Sequence, residues 1–272
     1  MTKKAIEVLS KNEKGFFLMI EGSKVDWASH SNDPIWIISD ILSFDEAVKV
    51  AVEFAKQNGK TSVIVSPDHG NSGISMGNKE TSNPKSKKKY DKMHIDDFIL
   101  PLIKAKMTAE GVEIEIYKDK DNMTLTRAIE IIEKNYGLDE MDEKDKEKLQ
   151  KWYKKVFMDG KYDRLSDIIC PILSERAYLG FTTNGHTGED VVLGFYGPAN
   201  AKKLCGVIEN TDIPKYIEEV FELSLQKVSE KIFVNAFETL EAKNYKLKVD
   251  ESEKANPVLV ASDENVEFRF PV

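Results

Sequence analysis

Phe16-Phe17-Leu18-Met19-Ile20, followed at once by Glu21-Gly22-Ser23-Lys24-Val25-Asp26-Trp27-Ala28-Ser29-His30, is the stretch from which the rest of the chain is read. Its first five residues form an unbroken apolar run, the pattern of a buried strand. Glu21, Asp26 and His30 come next, and all three side chains are of types that bind metal ions. Asp26 and His30 stand four apart, a spacing that on a helix stacks them on one face. Glu21 then lies at a strand's carboxyl end, where α/β sheets place their ligand sites. The same residues also read as a surface glutamate, a helix-starting aspartate and an exposed histidine. The remainder of the chain decides between the two readings.

Working outward, the first residues read as the end of a helix, Ala5 to Leu9, and a polar turn, Lys11 to Gly15. The helix carrying Asp26 and His30 ends near Asn32-Asp33-Pro34, because the residue before proline is pushed out of the helical region. From about Ile35 to Asn58, apolar residues recur at helical spacing, and Gly59 supplies the stop. Thr61 to Ser66 is a β-branched run of the kind found in parallel strands buried on both faces. The first 70 residues therefore read strand–helix–strand, the unit of an α/β fold. Pro67, Asp68, His69 and Gly70 follow that second strand, then a loop, Asn71 to Asn78.

Residues 79–180 read as an insert. Asp96 to Lys106 is helix-like, Gly111 to Lys118 alternates as a strand, and Thr124 to Asn135 is an amphipathic helix stopped near Gly137. Met141 to Met158 is a charged surface helix that packs Leu149, Trp152, Tyr153, Val156 and Phe157 inward. Asp163 to Leu179 is a further helix interrupted at Pro171. Phe181 to Asp190 carries His186 and leads into a strand-like run, Val191 to Tyr196, and a helix from about Ile213 to Leu225 capped by Asp212. Residues 1–227 thus read as one domain. Residues 228–272 read as a small α+β appendage or an edge addition, with a helix near Lys231 to Lys243 and three strands.

The 272 residues are 41% hydrophobic, enough for a substantial core. A net charge of −8 and a pI of about 5.3 argue against a general nucleic-acid binder. The basic run Lys85 to Lys92 reads as a solvated loop. Two cysteines, Cys170 and Cys205, form no metal or disulfide pattern, and Cys170 reads as a core thiol. No apolar run approaches a membrane span, and the N-terminus carries no apolar signal core, so the compartment stays open.

The polar residues that end the predicted strands are Glu21, Asp26, His30, Asp68, His69 and His186, which include three of the four histidines. Zinc takes imidazole nitrogen and carboxylate oxygen, and its catalytic sites commonly use three protein ligands with one position open. Asp26, His30 and His186 would make such a site, and Asp68 and His69 part of a second. Glu21 is a hard oxygen ligand suited to magnesium. Two metals ~3.5–4 Å apart can clamp both oxygens of a phosphoryl displacement. His94, beside Asp96 and Asp97, reads as solvated, with a peripheral metal role as the alternative.

E-G-S-K-V-D-W-A-S-H, V-I-V-S-P-D-H-G and G-H-T-G-E-D, in that order, resemble the motifs of alkaline phosphatases over roughly residues 10–225. The resemblance implies an α/β, three-layer sandwich around a mostly parallel sheet, usually dimeric and often exported. It implies hydrolysis of phosphate monoesters through a phosphoserine. It assigns Asp26, His30 and His186 to a first zinc, Asp68 and His69 to a second, and Glu21 to magnesium. Trp27 stands where some members carry a basic residue that helps hold phosphate. Here it is expected to pack against the insert or to line the pocket. The family's nucleophilic serine lies in an Asp-Ser-Ala motif upstream of these motifs, and this sequence contains none. The expectation is a carboxyl-terminal part whose sheet is incomplete on its N-terminal side, through truncation, gene splitting or the choice of expressed segment. Neither Ser23 nor Ser66 is expected to stand in for that serine. The competing expectation is a non-catalytic metal-binding fragment; a phosphodiesterase or mutase of the same metal-dependent superfamily is disfavoured by H-T-G-E-D.

Overall fold

The computed structural model describes residues 1–82 and 89–271. Lys85 to Lys88 of the basic run lie outside the described residues. The chain divides into two compact units, Met1–Cys205 and Gly206–Val272. The division falls some twenty residues before the boundary expected at 227/228, because the helix at Asp212–Val220 groups with the C-terminal residues.

The first unit opens with α1 (Thr2–Leu9), α2 (Ser23–His30) and α3 (Pro34–Asn58). The break between α2 and α3 is made locally. Asn32 takes a left-handed φ of 48°, and Asp33 caps α3 by accepting from the Ile35 and Trp36 amides. Pro34 occupies the first helical position, where its missing N–H costs nothing. Gly59 ends α3 at φ 67°.

Short strands follow: β1 (Val63–Val65), β2 (Gly70–Asn71) and β3 (Ser75–Met76). Their partners come from the end of the insert and from beyond it: β4 (Leu179–Gly180), β5 (His186–Thr187) and β6 (Gly194–Tyr196). The order β1–β6, β2–β5, β3–β4 makes three antiparallel pairs.

The α/β character stands, since helices and strands are both present, but the mostly parallel sheet does not appear among the described residues. Every strand pair among the described residues is antiparallel. β1 is half-buried rather than enclosed on both faces. Phe16–Ile20 has no strand partner among the described residues; Phe17 and Met19 are exposed, and Phe16 rests against Phe54 of α3. No described strand lies beside Phe16–Ile20 to satisfy its backbone groups as a strand neighbour would.

The insert holds the main core. α4 (Ile95–Ile99), α5 (Ala109–Tyr117), α6 (Leu125–Tyr136), α7 (Glu143–Tyr153) and α8 (Ser166–Arg176) supply its helices. Val112, Ile116, Ile132, Tyr136, Leu149, Trp152, Ile169 and Leu173 are fully or almost fully buried together. The strand expected at Gly111 to Lys118 is a helix. Thr108 caps it by accepting from the Gly111 amide, and Val112 and Ile116 face the core while Ile114 faces solvent. An alternating V-E-I-E-I pattern contains an i, i+4 pair, and the cap together with the core selects that pair. α7 runs on into a π-helical turn, Lys154–Met158, whose Phe157 stacks on Tyr153.

The second unit contains α9 (Asp212–Val220), α10 (Leu225–Ile232) and α11 (Ala236–Glu241). An antiparallel sheet follows: β7 (Lys246–Asp250), β8 (Val258–Ser262) and β9 (Glu267–Pro271), with β8 central and most buried. No described helix is long and apolar enough to cross a membrane.

Candidate metal centre

Two local structures bring the donors together. α2 carries Asp26 in its first turn and His30 in its last, four residues apart as the spacing requires. The β2–β5 pair places Asn71 opposite His186. Close approach of those strands depends on two glycines. A Cβ at Gly70 would sit 2.5 Å from Thr187 Oγ1, and one at Gly73, whose φ is +57°, would sit 2.0 Å from Thr182 Oγ1.

Donor atoms of Asp26, His30 and His186 all lie within 4.8 Å of one another. The His30 and His186 rings are 5.2 Å apart, and the His69 ring stacks on His186 at 3.6 Å. His69 Nε2 lies 3.3 Å from Asp68 Oδ2, so the second expected pair sits beside the first group. Glu21 is exposed and belongs to no such cluster of donors among the described residues. His94 lies apart, capping α4 as an exposed side chain paired with Asp96.

The protonation of the imidazoles follows from their partners. His30 Nδ1 is 2.6 Å from the Asn184 carbonyl oxygen, which can only accept, so Nδ1 carries the proton. The other ring nitrogen, Nε2, lies 3.5 Å from Asp26 Oδ1. His69 repeats the arrangement: Nδ1 donates to the Gly70 carbonyl at 3.1 Å, and Nε2 faces Asp68. In each pair a carboxylate oxygen lies near the second ring nitrogen, a place where a proton or a metal ion could be shared. A metal-binding imidazole usually has its other ring N–H held by a carbonyl or carboxylate in this way.

Two asparagines absent from the sequence-based donor set hold these candidate ligands. Asn71 Nδ2 donates to Asp26 Oδ1 at 2.7 Å, which fixes the carboxylate's rotation. Asn184 grips the end of α2 twice, through its carbonyl to His30 Nδ1 and through its amide to the His30 carbonyl at 3.1 Å. Asn71 Oδ1 and Ser72 Oγ are buried without a hydrogen-bond partner, an unmet polar demand next to the donors. Asn71 lay in a run read only as a flexible loop. Its one signal was an amide three residues after Asp68.

Trp27 stands 55% exposed beside His30. Lys24 Nζ rides 3.4 Å over its ring. Together with residues of the insert, Trp27 and His30 line a cavity of about 370 Å³.

A family model described as alkaline phosphatase matches residues 1–223. Alkaline phosphatase 3 of Bacillus subtilis (strain 168) is 33% identical over 236 residues, covering 85% of this chain and 45% of that protein. The crystal structure of a cold-active alkaline phosphatase from a psychrophilic Shewanella sp. aligns with a TM-score of 0.63 and 28% identity, over 81% of this chain and 49% of that one. The Thermus thermophilus alkaline phosphatase shares the fold, with a TM-score of 0.67 at 18% identity. The chain spans less than half the length of each of these relatives.

Proposed function

The chain belongs to the alkaline phosphatase family, and from that premise we propose that it supplies the metal-binding part of a phosphate monoester hydrolase. The observation that carries the reading is the convergence of Asp26, His30 and His186 within 4.8 Å, with Nε2 of His30 turned toward Asp26. This mixed nitrogen and oxygen set fits zinc, with a position left for a ligand. Asp68 and His69 hold a second zinc and Glu21 a magnesium; their order and spacing in the family's motifs support this. When bound, such ions supply positive charge that stabilises the transferring phosphoryl group and the departing oxygen.

The chain's own residues act by holding and orienting. Asn71 fixes the Asp26 carboxylate, and Asn184 holds His30 through Nδ1, which leaves Nε2 on the side of Asp26. The nucleophilic serine comes from a segment outside the 272 residues, as the chain's coverage of under half of its relatives supports. The exposed apolar run Phe16–Ile20 is where further strands of the expected three-layer sandwich would pair. Homodimerisation and export belong to the same reading, and sedimentation and fractionation of the tagged full-length protein test them.

The decisive experiment is metal analysis followed by an assay. After exposure to zinc and gel filtration, the chain should retain zinc, and His186→Ala should lose it. Hydrolysis of p-nitrophenyl phosphate should be near background with the chain alone and should appear when a family segment bearing Asp-Ser-Ala is added. No retained zinc would refute the metal assignment. Retained zinc with no activity under any complementation would favour a non-catalytic metal-binding chain.

A further inference from the structure

The cavity beside His30 has a composition that the metal centre does not use. Its walls come from the end of α2, the start of α3, the start of α5 and the segment 162–166. Trp27, Trp36 and Tyr162 give it aromatic surface, Glu110 and Glu113 give it carboxylate acceptors, and Arg164 gives it a donor group. At about 370 Å³ it falls within the ~300–1,000 Å³ range of small-molecule sites.

Each of these groups keeps capacity for a ligand. The indole N–H of Trp36 is already given to Asp40 Oδ2 at 2.7 Å, so this residue offers only its apolar ring. Lys24 Nζ, 3.4 Å from the Trp27 ring centre, covers one face of that indole. Trp27 and Tyr162 are largely exposed, with ring surface available for stacking. Arg164 uses Nη2 to donate to Ser31 Oγ at 2.8 Å, which holds one edge of a guanidinium that has five N–H donors. Glu113 Oε1 accepts a long bond from the Leu165 amide at 3.4 Å, and the rest of the carboxylate can accept from a ligand.

We infer that this cavity is a subsite for the alcohol portion of the phosphate monoester, and that it selects a heteroaromatic alcohol bearing hydroxyl groups, of the nucleoside class. The inference rests on the phosphatase reading above, since His30 is the wall shared by the cavity and the metal centre. A phosphate held near Asp26, His30 and His186 would lie close to this wall, because His30 belongs to both. Trp27 takes the ring by stacking, and Glu113 and Arg164 take its hydrogen-bonding groups. Phosphate esters of small aliphatic alcohols gain nothing from such walls.

The test uses the full chain, with and without zinc, and three probes: adenosine, adenosine monophosphate and inorganic phosphate. Binding is followed by tryptophan fluorescence and by saturation-transfer NMR. Adenosine should bind saturably whether or not zinc is present, and adenosine monophosphate should bind the zinc-loaded chain more tightly than phosphate does. Trp27→Ala should weaken adenosine by about fivefold or more, the scale of one lost stacking contact. Trp27 is exposed, so that variant should fold, and Glu113→Gln provides a second with the same expected direction. Zinc retention and phosphate binding without adenosine binding would overturn the subsite and leave the phosphatase reading standing. Adenosine binding without zinc retention would overturn the phosphatase reading, and with it the subsite's role in ester recognition. Unchanged adenosine affinity in both variants would overturn the assignment of the walls.

Discussion

The side chain that most sharpens the candidate metal centre is Asn71. A carboxylate that is free to rotate presents its lone pairs to a metal only part of the time. Asn71 Nδ2 at 2.7 Å from Asp26 Oδ1 removes that freedom. Substitutions at such outer positions typically cost ~10–100-fold in metal affinity. Asn71→Ala is therefore expected to weaken zinc binding by about that factor, read by competition with a chromophoric chelator, while the far-ultraviolet circular dichroism stays unchanged. An affinity equal to the parent's would mean that the metal orients Asp26 without help. Asp26 and His30 were legible because their spacing is local to one helix. Asn71 was not, because its meaning depends on a strand pairing with residues more than 100 positions away.

Single elements carry both an error of the sequence reading and a testable electrostatic feature. α5 shows that two-residue alternation does not by itself make a strand when a cap precedes it and a core accepts every fourth residue. In the C-terminal sheet, Asp250 on β7 sits under Arg269 of β9, with Nη2 to Oδ2 at 2.6 Å. Hydrogen bonds from Ser252, side chain and then backbone, and the Arg269 guanidinium hold the Asp250 carboxyl down, to about 2. A carboxyl depressed by folding contributes stability above its unfolded value and loses that contribution as pH falls. The second unit should thus lose stability between the ordinary aspartate range and about pH 2. Asp250→Asn should flatten that part of the profile relative to the parent in circular-dichroism melts recorded across pH. Identical profiles would show that this exposed pair contributes nothing measurable, as many surface pairs do.

At the scale of the whole first unit, Asp33 ties the site region to the insert. It is completely buried. Oδ1 accepts from the Ile35 and Trp36 amides and from the Tyr136 hydroxyl at 2.9 Å, and Oδ2 accepts from the Ala109 amide at 2.8 Å. The Tyr136 hydroxyl also lies 3.2 Å from Cys170 Sγ, so α3, α5, α6 and α8 meet at one carboxylate. Burial pushes the Asp33 carboxyl up, and these hydrogen bonds oppose it. Asp33→Ala leaves a helix uncapped and buried donors unmet, and should cost roughly 3 kcal/mol in urea unfolding. Asp33→Asn keeps an N-cap and removes a charge that burial disfavours, and should cost less. Equal losses for the two would show that the charge itself holds the junction.

The sequence by itself determined the donors, their order, and the helices that present them. Helix registers, caps and the break at Asn32-Asp33-Pro34 follow from interactions within a few residues, so α3, α6 and α7 could be read from periodicity and stop residues, while α2 was read only from the spacing of Asp26 and His30. Only the tertiary structure decided which strands pair, and in which direction. It turned Val63–Val65 toward Gly194–Tyr196 and left Phe16–Ile20 without a strand partner among the described residues. It also joined Asn71 and Asn184 to the ligands they hold. The reason is that a strand's hydrogen-bonding groups are satisfied by residues distant in sequence. Its apolar pattern states that it will be covered, and says nothing of what covers it.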